Sequence, residues 1–150
     1  MKKKLSKEIK IRKVRVKDTV SIAGLLKELG YSSSSSFAKN KILKLTKSEI
    51  DTVLVAEADG KVIGVGHLHI AELFHEPGKL GRIMAIVVNK KYRQTGVGLK
   101  LMTSLESIAR KTGSSKMEVT SAAKRDDAHK FYLGLGYFEK PKRFIKMLDK

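Results

Sequence analysis

The chain has 150 residues, 41% of them hydrophobic, with 32 Lys and Arg against 15 Asp and Glu and no cysteine. That length and apolar content suit one compact domain over residues 9–150 behind a basic tail at 1–8, and the missing thiols exclude disulfides, thiolate metal sites and cysteine nucleophiles. A formal charge of +17 draws anions from a distance and favours phosphate-bearing ligands over polycations.

From the N-terminus, Ile9 to Val16 alternates basic and apolar residues as a half-buried strand does. Asp18 then offers a helix cap ahead of Ile22, Leu25, Leu26 and Leu29, and Gly30 ends that helix. A serine run, Ser32 to Ser36, precedes a second helix over Phe37 to Leu45; such a run reads as a flexible loop or as a mobile lip over an acceptor site, with Phe37 at its edge. Thr52 to Ala58 and Lys61 to Ile70 are strands joined at Asp59-Gly60, a dipeptide that supplies the positive φ angles of a tight hairpin. After a break at Ala71 to Lys79, Gly81 to Val88 resumes as a nearly all-apolar strand expected at the centre of the sheet, covered on both faces. Gly96 to Arg110 places Val97, Leu101, Leu105 and Ile108 on one helical stripe that Gly113 closes. Lys116 to Ser121 is a further strand, Asp126 to Leu135 a last helix stopped by Gly136, and Arg143 to Leu148 a short final strand.

The apolar stretches around Val53 and Ile83 are far shorter than the roughly 20 residues that cross a bilayer. The basic start, Met1 to Glu8, lacks the apolar region and cleavage site of a secretory signal, so a cytoplasmic protein is expected, with no membrane partner. His67 and His69 put two rings on one strand face, yet no third ligand follows at a recognised spacing, so no metal is expected. Dispersed lysines with four Tyr, five Phe and no Trp form no recognisable nucleic-acid module, which disfavours that partner.

The chemistry concentrates where the strand Ile86-Val87-Val88 runs into Arg93-Gln94-Thr95-Gly96-Val97-Gly98 and a helix begins at once. Glycines without Cβ atoms let backbone amides approach an anion, and the new helix directs its positive end at the same point. The Gly-Lys-Ser/Thr ending of an ATP loop and the Gly-x-Gly-x-x-Gly dinucleotide fingerprint are both missing.

Val88 to Leu101 resembles motif A of the GNAT superfamily of acyl-CoA-dependent N-acetyltransferases, and Ala128-x-x-Phe131-Tyr132-x-x-x-Gly136-Tyr137 resembles its motif B. The resemblance covers about Ile9 to Leu148. It implies an α/β fold with a mixed, mostly antiparallel sheet, a V-shaped splay between central strands that receives acetyl-CoA, and about four flanking helices. It implies that Ile86 and Val88 pair with the pantetheine arm through their backbone, that the Val88 amide polarises the thioester carbonyl, and that Arg93 to Gly98 hold the pyrophosphate. It further implies Tyr132, near the CoA sulfur, as the general acid. One departure stands in motif B: Arg125 occupies a position where the family often has Asn, and it either contacts the cofactor or faces solvent.

The base is not readable in the same way. Glu72, His75 and Glu76 follow the second hairpin strand and are candidates, as is a water relay without any side chain; Glu118 borders the crevice, but strand alternation can aim it away. For the acceptor, a small amine bearing a carboxylate is favoured, with Arg82 or another basic residue as its partner and Phe37 and Ser121 as further contacts. Protein or peptide amines, a catalytically silent acyl-CoA-binding module and a basic nucleic-acid-binding protein are the alternatives; monomer and homodimer both stand.

Overall fold

A computed structural model of the chain describes residues 8–121, 126–140 and 142–148. These fall into two compact units, Met1–Val119 and Thr120–Lys150. The first holds strand β1 (Lys10–Lys13), helices α1 (Thr19–Glu28) and α2 (Ser35–Thr46), strands β2 (Asp51–Ala58), β3 (Lys61–Glu72) and β4 (Lys79–Val88), helix α3 (Val97–Lys111) and strand β5 (Ser114–Val119). Helix α4 (Asp126–Gly134) belongs to the second. No helix among the described residues is long and apolar enough to cross a membrane.

The five strands form one sheet in the order β1-β2-β3-β4-β5, antiparallel except for the parallel β4–β5 pair. Chain order and spatial order coincide: β1 reaches β2 through α1 and α2, short connections join β2 to β3 and β3 to β4 as antiparallel neighbours, and the parallel β5 needs the crossover that α3 supplies. The expected Asp59-Gly60 hairpin is present, with φ of 52° and 76° at the two turn residues. The serine run is partly structural: Ser34 caps α2 by accepting from the Phe37 N–H at 3.0 Å, and Ser35 and Ser36 lie inside that helix.

Two packed faces follow from the period-two pattern of the strands. On one, Val55, Val65 and Val87 meet Ile22, Ala23 and Leu25 of α1 and Ala38 and Ile42 of α2. On the other, α3 lays down Val97, Leu101, Met102, Leu105 and Ala109, all 1% exposed or less. Burying a Leu or Val side chain contributes about 1.5–3 kcal/mol, so this stripe is the main reason α3 stays on the sheet. The helix comes close because β3 has glycines beneath it: a Cβ on Gly66 would lie 2.8 Å from Leu105 Cδ1, and one on Gly64 would lie 3.1 Å from both Val97 Cγ1 and Leu101 Cδ1.

Three sequence expectations are corrected. The apolar strand expected at the centre is β4, an inner strand with β5 beside only its first half, while β3 is the middle one. The next strand starts earlier and ends at Val119, leaving Ser121 beyond it. Arg143 to Leu148 forms no strand. Alternation alone makes no strand without a ladder partner, and the described residues of its own unit hold none; Phe144, Met147 and Leu148 are 80% exposed or more.

Candidate active site

β4 and β5 pair from Lys79↔Ser114 to Ile83↔Val119 and then part. Beyond that point Ala85 to Val88 pair with β3 alone among the described residues. A bulge lies at the parting, because Leu68 faces Ile83 while His67 faces Ala85, which leaves Met84 as the extra residue on β4. The Asn89 N–H donates to the Ile63 carbonyl at 2.8 Å. Antiparallel alternation then turns Val87 toward β3 and directs the N–H and C=O groups of Ile86 and Val88 at the open edge. An extended chain with amide groups of its own can pair there as an added strand.

The loop at the end of β4 has the features of an anion site. Gln94 has φ of 63° and Gly96, the cap of α3, has φ of 92°, so the chain turns back on itself through left-handed residues and enters the helix at Val97. No side chain caps α3, and the first turn of any helix leaves N–H groups without intrahelical acceptors. An α-helix of 15 residues adds a partial positive charge at the same place. The Thr95 hydroxyl donates to the Tyr92 carbonyl, which ties the loop to the turn before it. Arg93 is tied back: its Nε donates to the Val88 carbonyl at 3.0 Å, and a terminal nitrogen stands 4.0 Å from Glu28. The segment 93–98 thus brings together backbone donors, a helix terminus and, on a tether, one guanidinium, an arrangement that could hold a pyrophosphate.

The other expected residues are scattered. Tyr132 lies on α4 in the second unit, its ring 5.4 Å from that of Phe131 and 6.0 Å from that of Tyr137. Arg125 lies outside the described residues. Glu72 pairs with Lys79 at the start of β4, and Glu76 in the following loop forms an ion pair with Lys116. With His75, they stand at the opposite end of β4 from Val88, about 30 Å away along an extended strand. That separation counts against direct proton removal at a thioester held by Val88. Arg82 is nearer, half exposed and 3.3 Å from Glu118 across the β4–β5 pair. Phe37 is on α2, 48% exposed, with the Lys41 ammonium 5.5 Å from its ring centre.

One constellation escaped the sequence reading. Asp51 Oδ1 contacts His67 Nε2 at 2.7 Å and His69 Nδ1 at 2.9 Å, while Asp51 Oδ2 accepts from the Ser48 hydroxyl at 2.7 Å. Burial pushes the Asp51 carboxyl up, but the bonds from Ser48, His67 and His69 outweigh it and hold it down at about 2. An ionised carboxylate only accepts, so His67 carries its proton on Nε2 and His69 on Nδ1. Both ring contacts thus use N–H groups, and among the described residues no cluster of three His, Cys, Asp or Glu side chains is arranged to hold a metal. The His-x-His spacing was visible in the sequence; Asp51, on a different strand, became visible only through the β2–β3 register that sets it opposite His69.

A glycine loop leading into a helix, beside a parallel pair that parts halfway, defines an acyl-CoA N-acyltransferase fold. Residues 22–137 match the acetyltransferase (GNAT) family, and the chain belongs to it. It is 35% identical over 94 residues to the aminoalkylphosphonate N-acetyltransferase of Salmonella typhimurium, a match spanning 63% of this chain and 61% of that protein. In structure it is similar to glucosamine-6-phosphate N-acetyltransferase from Arabidopsis thaliana, with a TM-score of 0.82 and 23% identity over 95% of this chain and 100% of the other. The aminoglycoside N-acetyltransferase AAC(6')-Iy in complex with CoA superimposes equally well, with a TM-score of 0.82 and 20% identity over 95% of each chain.

Proposed function

We propose that the protein transfers an acetyl group from acetyl-CoA to the primary amine of a small molecule by direct attack in a ternary complex. The observation that carries this is the bare edge of β4 from Met84 to Val88, which ends in the anion-binding loop 93–98. The edge accepts an extended amide-bearing arm and the loop accepts a pyrophosphate, the two ends of the one ligand that has both. Backbone groups of Ile86 and Val88 align the arm. The Val88 N–H withdraws charge from the thioester oxygen as the tetrahedral centre forms, a role for a fixed donor that needs no particular side chain. Tyr132 returns a proton to the departing thiolate, since a phenol of reference pKa about 10 is well matched to that task.

The acceptor is a small amine that also bears an acidic group. A surface charge of +17 draws such molecules in, and the Salmonella relative, by its name, acts on aminoalkylphosphonates. In this reading Arg82, half exposed near the parting of β4 and β5, exchanges its Glu118 partner for the acid of the acceptor. Release of CoA thiol tests the proposal, with aminoalkylphosphonates, amino acids, polyamines, aminoglycosides and peptides as acceptors. Turnover concentrated in acid-bearing small amines supports it. Acetyl-CoA that raises the melting temperature without any turnover points instead to a silent acyl-CoA-binding module, and no effect of acetyl-CoA on melting sinks the reading.

A further inference from the structure

On the sheet face covered by α1 and α2, the apolar ladder of Val55, Val65 and Val87 gives way along the strands to a polar strip. His67 continues the side-chain series of Val65, and its cross-strand neighbours are Val53 on β2 and Ala85 on β4. The next row runs Asp51, His69, Arg82 and Glu118 across four strands. The strip lies at the place where β5 leaves β4: His69 is level with the last paired stretch, and His67 is level with the first residues of the bare edge. From Ala85 to Val88 is three residues of strand, about 10 Å, which a side chain and one water span.

We infer that His67, held by Asp51, is the proton acceptor for the incoming amine, an assignment that rests on the acetyl-transfer reading above. Imidazole is the side chain whose ordinary titration falls near neutral pH, as a general base requires. Asp51 Oδ1 holds the Nε2–H of His67, which leaves Nδ1 as the basic nitrogen; among the described residues nothing hydrogen-bonds to it. Ala85, its neighbour on β4, is too small to cover that side of the ring. His69 donates its own Nδ1–H to the same oxygen, and Ser48 holds the other, so the carboxylate cannot rotate away. Among the described residues, the charged groups in the strand rows of the two rings are Asp51 from β2, Arg82 from β4 and Glu118 from β5; the buried residues that α1 and α2 lay on the neighbouring valine ladder, Ile22, Ala23, Leu25, Ala38 and Ile42, are apolar.

The step balances as follows. The ammonium of the acceptor gives one proton to His67 Nδ1, directly or through one water, and the neutral amine forms a C–N bond to the thioester carbon. As the C–S bond breaks, the second amine proton leaves and the thiolate gains one. His67 then returns its proton to solvent. Asp51 touches neither reactant and acts as a positioning residue.

The test uses the full chain with acetyl-CoA and 2-aminoethylphosphonate, an acceptor in the class named for the Salmonella relative. His67→Gln is expected to lower kcat about 100-fold near neutral pH while the KM for the amine changes less than about threefold. The loss should shrink as pH approaches the amine's own pKa, where the base is no longer needed. Asp51→Asn should reproduce a smaller loss of the same shape. Turnover of His67→Gln within about twofold of the parent, or an equal loss at every pH, overturns the inference. Ring-nitrogen NMR of the unaltered protein guards against a variant that fails to fold: protons on His67 Nε2 and His69 Nδ1 are expected, and the opposite tautomers overturn it. Failure of the acetyl-transfer reading is distinguishable, because then acetyl-CoA leaves the melting temperature of the parent protein unchanged. Protection of both proteins with undiminished His67→Gln turnover removes only the proton acceptor.

Discussion

Removing the Arg12 side chain should be among the most damaging single changes outside the core. Its guanidinium grips Asp18 with two bonds of 2.9 Å, and its Nε and one terminal nitrogen reach Glu57 Oε1 at 3.0 and 2.9 Å. Asp18 is 4% exposed. Burial pushes the Asp18 carboxyl up, and the bonds from Arg12 and the Arg15 N–H overcome this and bring it below the ordinary range. The Arg12→Ala variant keeps the Arg15 N–H bond of 2.8 Å but leaves a buried carboxylate without its cation. Losing one partner of a buried pair costs roughly 3–5 kcal/mol, and the low end, about 3 kcal/mol, applies at a sheet edge where water reaches Glu57. For a chain of this size that is a fall in melting temperature of about 10 °C, to be read by calorimetry and by urea unfolding. Arg12→Lys should fall between, since an ammonium lacks the planar fork. Added salt at about 0.5 M should leave most of the difference, because buried pairs are weakly screened. A loss below about 1 kcal/mol for Arg12→Ala, or strict additivity with Asp18→Asn, would refute the reasoning.

Asp51, held at about 2 against an ordinary 3.8, stabilises the fold fully above the ordinary value, and that contribution is lost as pH falls through the folded one. The stability of Asp51→Asn should therefore vary less than that of the parent between about pH 5 and 2, as followed by urea unfolding at each pH. Gly66→Val should destabilise by about 2 kcal/mol, because Leu105 is fully buried and has nowhere to move; calorimetry checks it. Gly96→Ala should cost about 1 kcal/mol through its left-handed φ of 92° and should weaken acetyl-CoA binding about tenfold, measured by thermal-shift titration; unaltered affinity would separate this loop from the cofactor.

The elements found correctly from sequence are those whose cause is local. Asp59-Gly60 announces its turn, the stripe from Val97 to Ile108 announces its helix, and Gly113 and Gly136 sit at φ of 93° and 95° just past the helices they are expected to end. What depended on register did not show in the chain. The final strand expected at Arg143 to Leu148 is absent, since a strand is decided by its neighbour. Glu72, His75 and Glu76 were placed near the acceptor by their position in the chain, and only the Glu72↔Lys79 pairing shows which end of β4 they occupy. Asp51 joined His67 and His69 through sixteen and more residues of hairpin, a contact with no local signature.

The parting of β4 and β5 also exposes the protein to a hazard that most sheets confine to their outer strands. A row of unsatisfied peptide groups is a template on which any extended chain can crystallise, including another copy of the same protein, and natural sheets guard such rows with positive charge. Arg93 fills that role here, its Nε seated on the Val88 carbonyl and a terminal nitrogen 4.0 Å from Glu28. If Arg93 also meets the cofactor's phosphates, as proposed above, one residue serves as ligand contact and as gatekeeper against mispairing. Replacing it with a neutral residue would trade solubility at low acetyl-CoA for a small change in binding.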